Sequence, residues 1–511
     1  MRYQERPRTV VPDDGDRLSS ARRARQPRAG AGGWCLISRR LAAVSLAAVL
    51  AGGCATAPRP AEVASLPRSI ERILATPSLS QALWGIRIEE EDGTPLFDRN
   101  SSTLMIPASN RKLFIGLTAA ECFGPLSTIP TELWIDGPVV DGSLLGDLVL
   151  EGLGDPSLGG RYYTDRDPAF APFLQALRAR GITEIKGRVM AGVSRFDRVI
   201  IAPKWQVEDV GEWWGAPVSS LAFNENILGV TVDVSNCPPD SITTDPHFVP
   251  VATSIDCTSE GSLKAMIDER NRLMVTGERP EQEPGRLVTL LPSIAEPGLY
   301  AAQALDDFLR RSGIAIDGEP AIAVEPAERI ERIWVIESPP MAALLSTMLK
   351  VSQNLYAEML LKRLAIGDAP ASYEKARGIE AKHLMETLAL RREDFSFQDG
   401  SGLSTDNLVT PQAIITTLRY MADPAREGFW KFVLATAGDE GTLRRRLAGL
   451  EGRLFAKTGT LSIAVALSGW VELEDGRKRF FSIVVNHYTA SRSEVRAAID
   501  EIVRLIAAGG H

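Results

Sequence analysis

Histidine and lysine are both scarce in this chain of 511 residues, which contains four histidines and eleven lysines against 46 arginines. The four histidines show no spacing typical of metal ligands, so we expect neither a metal site nor any other cofactor. Arginine stays protonated and cannot accept a proton during catalysis, which makes the few lysines more interesting as candidate bases.

Cysteine is rare as well, with five residues in the whole chain. Cys35 and Cys54 belong to an N-terminal targeting segment, and Cys122 follows an apolar helical pattern, where we expect a buried free thiol. Cys237 and Cys257 lie twenty residues apart in a region rich in proline, aspartate and threonine. In an exported protein, we expect these last two cysteines to form a disulfide.

Positive charge is concentrated at the N-terminus. The net charge is −8, but residues 1–53 hold ten arginines and four acidic residues, so the remainder carries about −14. A protein body this acidic does not have the basic footprint expected of nucleic-acid binding. We therefore expect no nucleic-acid partner.

The apolar run at residues 41–51 has the length of a signal-peptide core and is too short to span a bilayer. Gly52-Gly53-Cys54 follows it and resembles the bacterial lipobox, in which the cysteine is lipidated, although Ala51 stands where leucine is usual. We expect an exported, periplasmic lipoprotein, held at the membrane only through a lipid on Cys54. An ordinary cleaved signal peptide is the alternative.

The pattern of the remaining chain predicts an α/β (α+β) fold, in which an antiparallel sheet is covered by helices and carries a large β-rich insert. Asp92-Gly93 marks a hairpin near the start of the main domain. Within the insert, short strand-like runs alternate with turns, and we expect one helix, at residues 169–180. The predicted boundaries are 1–53 for the targeting segment, 54–67 for a linker, 68–124 and 335–511 for the two parts of the main domain, and 125–334 for the insert.

Three short motifs, S-x-x-K, S-x-N and K-T-G, occur in that order at residues 109–112, 352–354 and 457–459. On a helix, Ser109 and Lys112 lie one turn apart on the same face. Serine is a poor nucleophile without a base, and a lysine can act as that base if burial or nearby cations lower its pKa. The first motif therefore predicts a serine nucleophile activated by a lysine.

The second motif supplies a proton relay and a substrate contact in this hypothesis. We expect Ser352 to pass a proton to the leaving amine and Asn354 to hold the substrate amide. We also expect Lys457 to lower the pKa of Lys112 as a second nearby cation.

The third motif predicts substrate binding along a strand. We expect Lys457 and Thr458 to bind a terminal carboxylate, while Gly459 lets the ligand backbone approach closely. The backbone N–H groups of Ser109 and Thr460 are the expected donors to an oxyanion.

A second S-x-x-K occurs at residues 372–375. It lies in a charged helical pattern and follows the S-x-N motif instead of preceding it. We interpret Ser372 as a chance match and Ser109 as the nucleophile.

The three motifs resemble those of the penicillin-binding D-alanyl-D-alanine carboxypeptidases and endopeptidases of the class C low-molecular-mass type, peptidase family S13. Small β-lactamases leave no room for the 243 residues between Ser109 and Ser352. The resemblance implies a penicillin-binding-protein/β-lactamase-like transpeptidase fold, peptidoglycan stem peptides as substrates and β-lactams as covalent inhibitors. Further matching stretches lie at residues 154–158, 213–226, 399–404, 438–443 and 468–469.

Two positions depart from this family's pattern. Thr405 stands where an arginine is common, and Gly192 stands where an acidic residue is common. The acyl chemistry is therefore better supported than the side-chain preference for the stem peptide. A β-lactamase or esterase on the same scaffold is one alternative, and a non-catalytic peptidoglycan-binding envelope protein is another, although the three intact motifs argue against the latter.

Overall fold

The computed structural model describes residues 65–163, 167–239, 241–245, 249, 251–279, 286–323 and 331–509. The targeting segment, most of the linker and Cys54 lie outside these residues. Within the described ranges, no helix combines the length and the apolar character needed to cross a membrane.

The main sheet has six strands, and every neighbouring pair is antiparallel. The predicted hairpin at Asp92-Gly93 forms its first two strands. Alternate residues of the central strands enter different cores: Leu467 packs with one core and Ala466 with the other, as the two-residue period of a strand requires. In spatial order the strands are Pro95–Arg99, Leu83–Glu90, Lys478–Asn486, Ala464–Glu472, Leu454–Thr460 and Ala435–Thr436.

Helices cover both faces of this sheet. Helices Leu66–Leu74 and Arg492–Ala507 pack on one face. The other face is covered by a cluster around helix Lys112–Phe123, of which nine consecutive residues are buried, so that helix is enclosed on all sides. The rest of the cluster consists of Met341–Lys350, Asn354–Arg363, Tyr373–Leu388, Pro411–Met421 and Glu427–Val433.

The insert contains a core of its own, built on a five-stranded sheet. In spatial order its strands are Ala321–Ile322, Val189–Gly192, Asp147–Gly152, Pro130–Asp136 and Glu331–Glu337. Three smaller sheets consist of Ala315–Ile316, Glu184–Ile185, Ser143–Leu144 and Val139–Val140; of Ser241–Asp245, Gly229–Asp233 and Leu287–Leu290; and of Val251–Glu260, Leu273–Arg279 and Leu263–Ile267.

The described part of the insert contains two α-helices, so the expectation of a single helix is wrong. Ala171–Ala179 matches the predicted helix, and Pro297–Arg311 is an additional one. Pro297 occupies the first turn, where the missing N–H costs nothing. Tyr300 and Leu305 bury the apolar side of this helix in the insert core.

The structure joins Cys237 and Cys257 in a disulfide, with Cα atoms 5.7 Å apart. Cys122 is exposed, which corrects the expectation of a buried thiol. Cys122 lies in the last turn of helix Lys112–Phe123, beyond the run of buried residues that ends at Ala120.

Candidate active site

Ser109 lies in a tight helical turn, Ala108–Arg111, that runs directly into helix Lys112–Phe123. Ala108 has a φ of 47°, a left-handed conformation that is strained for a residue with a side chain. Two glycines let neighbouring segments approach this turn closely. A Cβ atom on Gly402 would lie 2.0 Å from the carbonyl oxygen of Ala108, and a Cβ atom on Gly459 would lie 2.7 Å from the carbonyl oxygen of Pro107. Close backbone packing therefore fixes Ser109 between loop 399–404 and strand Leu454–Thr460.

Lys112 is fully buried, and its Nζ lies 2.9 Å from Ser109 Oγ. The same nitrogen donates hydrogen bonds to Asn354 Oδ1 at 2.6 Å and to the Ser401 carbonyl oxygen at 2.7 Å. A neutral lysine amine has two N–H groups, and these two oxygens accept both of them. The lone pair then faces Ser109 Oγ, which is the geometry of a base that receives the hydroxyl proton.

Burial lowers the pKa of Lys112 to about 7, against opposing contributions from Asp399 and Glu358 and with a smaller lowering by Arg111. Burial, one of the expected causes, accounts for this low pKa, whereas the additional lowering expected from the charge of Lys457 is absent. Burial and the charge of Lys112 instead lower the pKa of Lys457 well below its ordinary value. The two buried lysines interact, and their mutual repulsion disfavours the state in which both carry a charge.

The S-x-N and K-T-G motifs meet beside Ser109 and Lys112. Lys457 Nζ lies 2.9 Å from Ser352 Oγ and donates a hydrogen bond to the Thr458 carbonyl oxygen. Ser352 adopts a left-handed φ of 65° between helices Met341–Lys350 and Asn354–Arg363. The K-T-G motif lies within strand Leu454–Thr460, and Thr460 ends that strand. All three predicted motifs are thus brought into one site.

The sequence marks residues 399–404 as a stretch that matches the family, but it does not show that the Ser401 carbonyl of this loop contacts Lys112. The buried Asp399 carboxylate accepts hydrogen bonds from the backbone N–H groups of Gly402 and Ser404. Glu358 accepts from the N–H groups of Gly400 and Ser401. Two acidic side chains therefore hold the loop so that Ser401 reaches Lys112.

Glu358 could have been found from the sequence, because it follows Asn354 by four residues and so lies on the same helix face. The pKa of Glu358 is raised to about 7, by burial first and then by the charge of Asp399.

Arg111 holds the turn that carries Ser109. It forms a buried ion pair with Glu380 through two hydrogen bonds of 2.7 and 2.5 Å, and it donates a hydrogen bond to the Asp399 carbonyl oxygen. These contacts anchor the turn that carries Ser109.

The second S-x-x-K has a different arrangement. Ser372 Oγ accepts a hydrogen bond from the Lys375 backbone N–H at 3.2 Å and caps helix Tyr373–Leu388. The Lys375 residue is exposed. Ser372 is a helix cap with no buried base beside it.

A side chain at position 192 would meet the carboxylate of Glu151. A Cβ there would lie 1.9 Å from Glu151 Oε2, and the buried Glu151 pairs with Arg195 at 3.2 Å. An acidic residue at position 192 would require the Glu151 side chain to move and would place a second negative charge beside it.

Gly402→Ala is expected to lower the free energy of unfolding by about 2 kcal/mol or more, because the new Cβ would overlap the Ala108 carbonyl and because φ is 84°. Gly428→Ala is the matched control: Gly428 is helical with open space around it, so stability should stay level or rise by up to about 1 kcal/mol. Urea unfolding of both variants checks this, and equal stabilities would contradict it.

Comparison with known proteins identifies the family of this chain. The sequence pattern of the D-Ala-D-Ala carboxypeptidase 3 (S13) family matches residues 66–507. The chain belongs to this family. This S13 carboxypeptidase is a hydrolase of D-Ala-D-Ala peptides. It has the fold of the penicillin-binding proteins.

Individual relatives of this S13 carboxypeptidase span most of its length. A D-alanyl-D-alanine carboxypeptidase of Actinomadura sp. (strain R39) is 27% identical over 474 residues, covering 88% of this chain and 86% of the relative. The D-alanyl-D-alanine carboxypeptidase DacB of Haemophilus influenzae is 25% identical over 412 residues, covering 78% and 84%. The crystal structure of penicillin binding protein 4 from Haemophilus influenzae shares the fold, with a TM-score of 0.75 and 23% identity over 86% of this chain and 98% of that one.

Proposed function

We propose that this S13 carboxypeptidase acts on peptidoglycan stem peptides through an acyl-enzyme on Ser109, and that it also cleaves D-Ala cross-links as an endopeptidase. The observation that carries this proposal is the environment of Lys112, whose buried Nζ lies within hydrogen-bond distance of Ser109 Oγ, Asn354 Oδ1 and the Ser401 carbonyl oxygen. When Lys112 is neutral, Asn354 and Ser401 can accept its two N–H groups, which leaves its lone pair for the Ser109 hydroxyl.

In the acylation step, Ser109 Oγ attacks the carbonyl carbon of the penultimate D-alanine, and its proton moves to Lys112. The carbonyl oxygen becomes an oxyanion that accepts hydrogen bonds from the N–H groups of Ser109 and Thr460. Lys457 and Thr458 bind the terminal carboxylate, and this negative charge favours the protonated form of Lys457.

The tetrahedral intermediate collapses as the C–N bond breaks. The leaving amine takes a proton from Ser352, which receives one from Lys457, 2.9 Å away, and Asn354 holds the substrate amide. Water then attacks the ester, and its proton returns through Ser352 to Lys457. Lys112 gives its proton back to Ser109 Oγ as the C–O bond breaks, so the enzyme ends as it began.

β-Lactams would enter the same pathway. Attack by Ser109 opens the ring, but the leaving nitrogen stays attached to the acyl group and blocks the approach of water. The proposal therefore includes covalent, slowly reversed inhibition by penicillins. Rapid, repeated turnover of nitrocefin would favour the alternative, a β-lactamase on this scaffold.

We also propose that the enzyme is exported to the periplasm and anchored by a lipid on Cys54. Gly52-Gly53-Cys54 and the apolar run before it support this proposal. Labelling with a fatty-acid analogue in growing bacteria tests it: wild-type protein should incorporate the label and Cys54→Ala should not.

The rate of acylation is expected to rise with pH and to level off above about pH 7. Lys112 must be neutral to accept the proton, and burial lowers its pKa to about 7. Below that value the rate should fall roughly tenfold for each pH unit. Stopped-flow measurement with a fluorescent penicillin checks this, and a midpoint near the ordinary lysine pKa would contradict the assignment of Lys112 as the base.

Release of free D-alanine from a D-Ala-D-Ala pentapeptide tests the carboxypeptidase reaction. Digestion of purified peptidoglycan, followed by mass spectrometry of the products, tests the endopeptidase reaction, because cleaved cross-links yield separate monomeric stem peptides. An enzyme that bound peptidoglycan but released neither product would be the non-catalytic envelope protein.

A further inference from the structure

We propose that the insert is part of the catalytic centre: Glu225 and the backbone carbonyl of Trp214, both from the insert, position the S-x-N motif. Each contacts a different residue of that motif, across the boundary between the insert and the main domain. The inference rests on the proposed function, because it concerns how the same site is held.

The Trp214 carbonyl oxygen fixes the orientation of the Asn354 side chain. Asn354 Nδ2 donates a hydrogen bond to this oxygen at 2.8 Å, while Asn354 Oδ1 accepts from Lys112 Nζ at 2.6 Å. The oxygen and nitrogen of an amide have opposite hydrogen-bonding roles. If Asn354 rotated and exchanged these two atoms, Lys112 would lose one of the acceptors that direct its lone pair at Ser109.

Glu225 holds the neighbouring residue, Gln353. Gln353 Nε2 donates a hydrogen bond to Glu225 Oε2 at 2.7 Å, and Gln353 Oε1 accepts from the Leu355 N–H at the start of helix Asn354–Arg363. Both Glu225 and Gln353 are buried. Arg161, also in the insert, pairs with the same carboxylate at 2.9 Å. Both polar atoms of the Gln353 side chain are thus hydrogen-bonded. These bonds also fix the backbone that leads into Asn354.

The backbone around Glu225 is built to present this carboxylate. Asn224, Glu225 and Asn226 all have φ between 52° and 56°, and three successive left-handed residues with side chains are strained. Side-chain hydrogen bonds hold the turn: Asn224 Nδ2 donates to the Ile227 carbonyl, and Asn226 Nδ2 donates to the Pro217 carbonyl. A strained turn that several hydrogen bonds hold in place is suited to positioning the Glu225 carboxylate beside Gln353.

Three variants separate this role from simple stabilisation by the Arg161–Glu225 ion pair. Glu225→Ala removes the acceptor for Gln353. Glu225→Gln keeps an acceptor oxygen for Gln353 but loses the charge that pairs with Arg161, and Arg161→Ala loses the ion pair alone. The measurement is the rate constant of Ser109 acylation by a fluorescent penicillin, with the final stoichiometry of labelling as a second readout.

We expect Glu225→Ala to acylate roughly ten to one hundred times more slowly, with the final labelling stoichiometry unchanged. A folding defect would lower the stoichiometry instead of the rate. Glu225→Gln and Arg161→Ala should acylate within about threefold of wild type. The inference is overturned if Glu225→Ala acylates at the wild-type rate, or if all three variants slow equally. If wild-type protein is not labelled on Ser109 at all, the proposed function fails first.

Discussion

Ser109→Ala is expected to abolish covalent labelling by fluorescent penicillin and to lower D-alanine release by about 10⁴-fold or more. The variant has no hydroxyl to form the acyl-enzyme, and Lys112 then has no proton to accept. The change removes a single oxygen atom from a half-buried residue, so the thermal unfolding temperature should stay close to that of wild type.

Ser372→Ala provides the matched control, since it alters the serine of the other S-x-x-K. Ser372 caps helix Tyr373–Leu388, so its loss should cost about 1 kcal/mol of stability. Penicillin labelling and D-alanine release should remain at the wild-type level. Equal labelling of wild type and Ser109→Ala would contradict the account, as would loss of labelling in Ser372→Ala.

Lys112→Met is expected to slow acylation by about 10³-fold, in the middle of the range contributed by a general base. Methionine has a similar length and suits the fully buried position. It cannot accept the Ser109 proton, and it leaves Asn354 Oδ1 and the Ser401 carbonyl without the donor they share. The rate constant for acylation, measured above pH 7 where Lys112 is neutral in wild type, shows the full effect.

Lys375→Met is the corresponding control at the second S-x-x-K, where the lysine is exposed and should tolerate the change. Its acylation rate should match that of wild type. An acylation rate in Lys112→Met within tenfold of wild type would show that another group activates Ser109, and Lys457 would be the next candidate because it lies beside Ser352.

The three motifs could be predicted because each is a short string whose chemistry depends on the residue types it contains. The hairpin at Asp92-Gly93 could be predicted for a similar reason, since turn residues act locally. The order of strands in the main sheet could not, because pairing Leu83–Glu90 with Lys478–Asn486 depends on contacts between residues nearly 400 positions apart. Helix Pro297–Arg311 was overlooked among the strand-like runs of the insert.

The support of the site was harder to predict than its centre. Ser401 and Trp214 lie in stretches that match the family's pattern, but they contact the site through backbone carbonyl oxygens. Every residue carries such an oxygen, so the sequence does not show which of them reaches the site. Glu225 reaches Gln353 only because its turn has an unusual left-handed backbone. The low pKa of Lys112 also required the structure, because the sequence does not show that this lysine is fully buried.

Mass spectrometry of the penicillin-treated protein tests the central claim most directly. We expect one penicillin per protein molecule, attached within the proteolytic peptide that contains Ser109, and fragmentation should place the added mass on the Ser109 side chain. An adduct on any other residue would contradict the assignment of Ser109 as the nucleophile. So would the absence of an adduct from protein that still releases D-alanine from a D-Ala-D-Ala peptide.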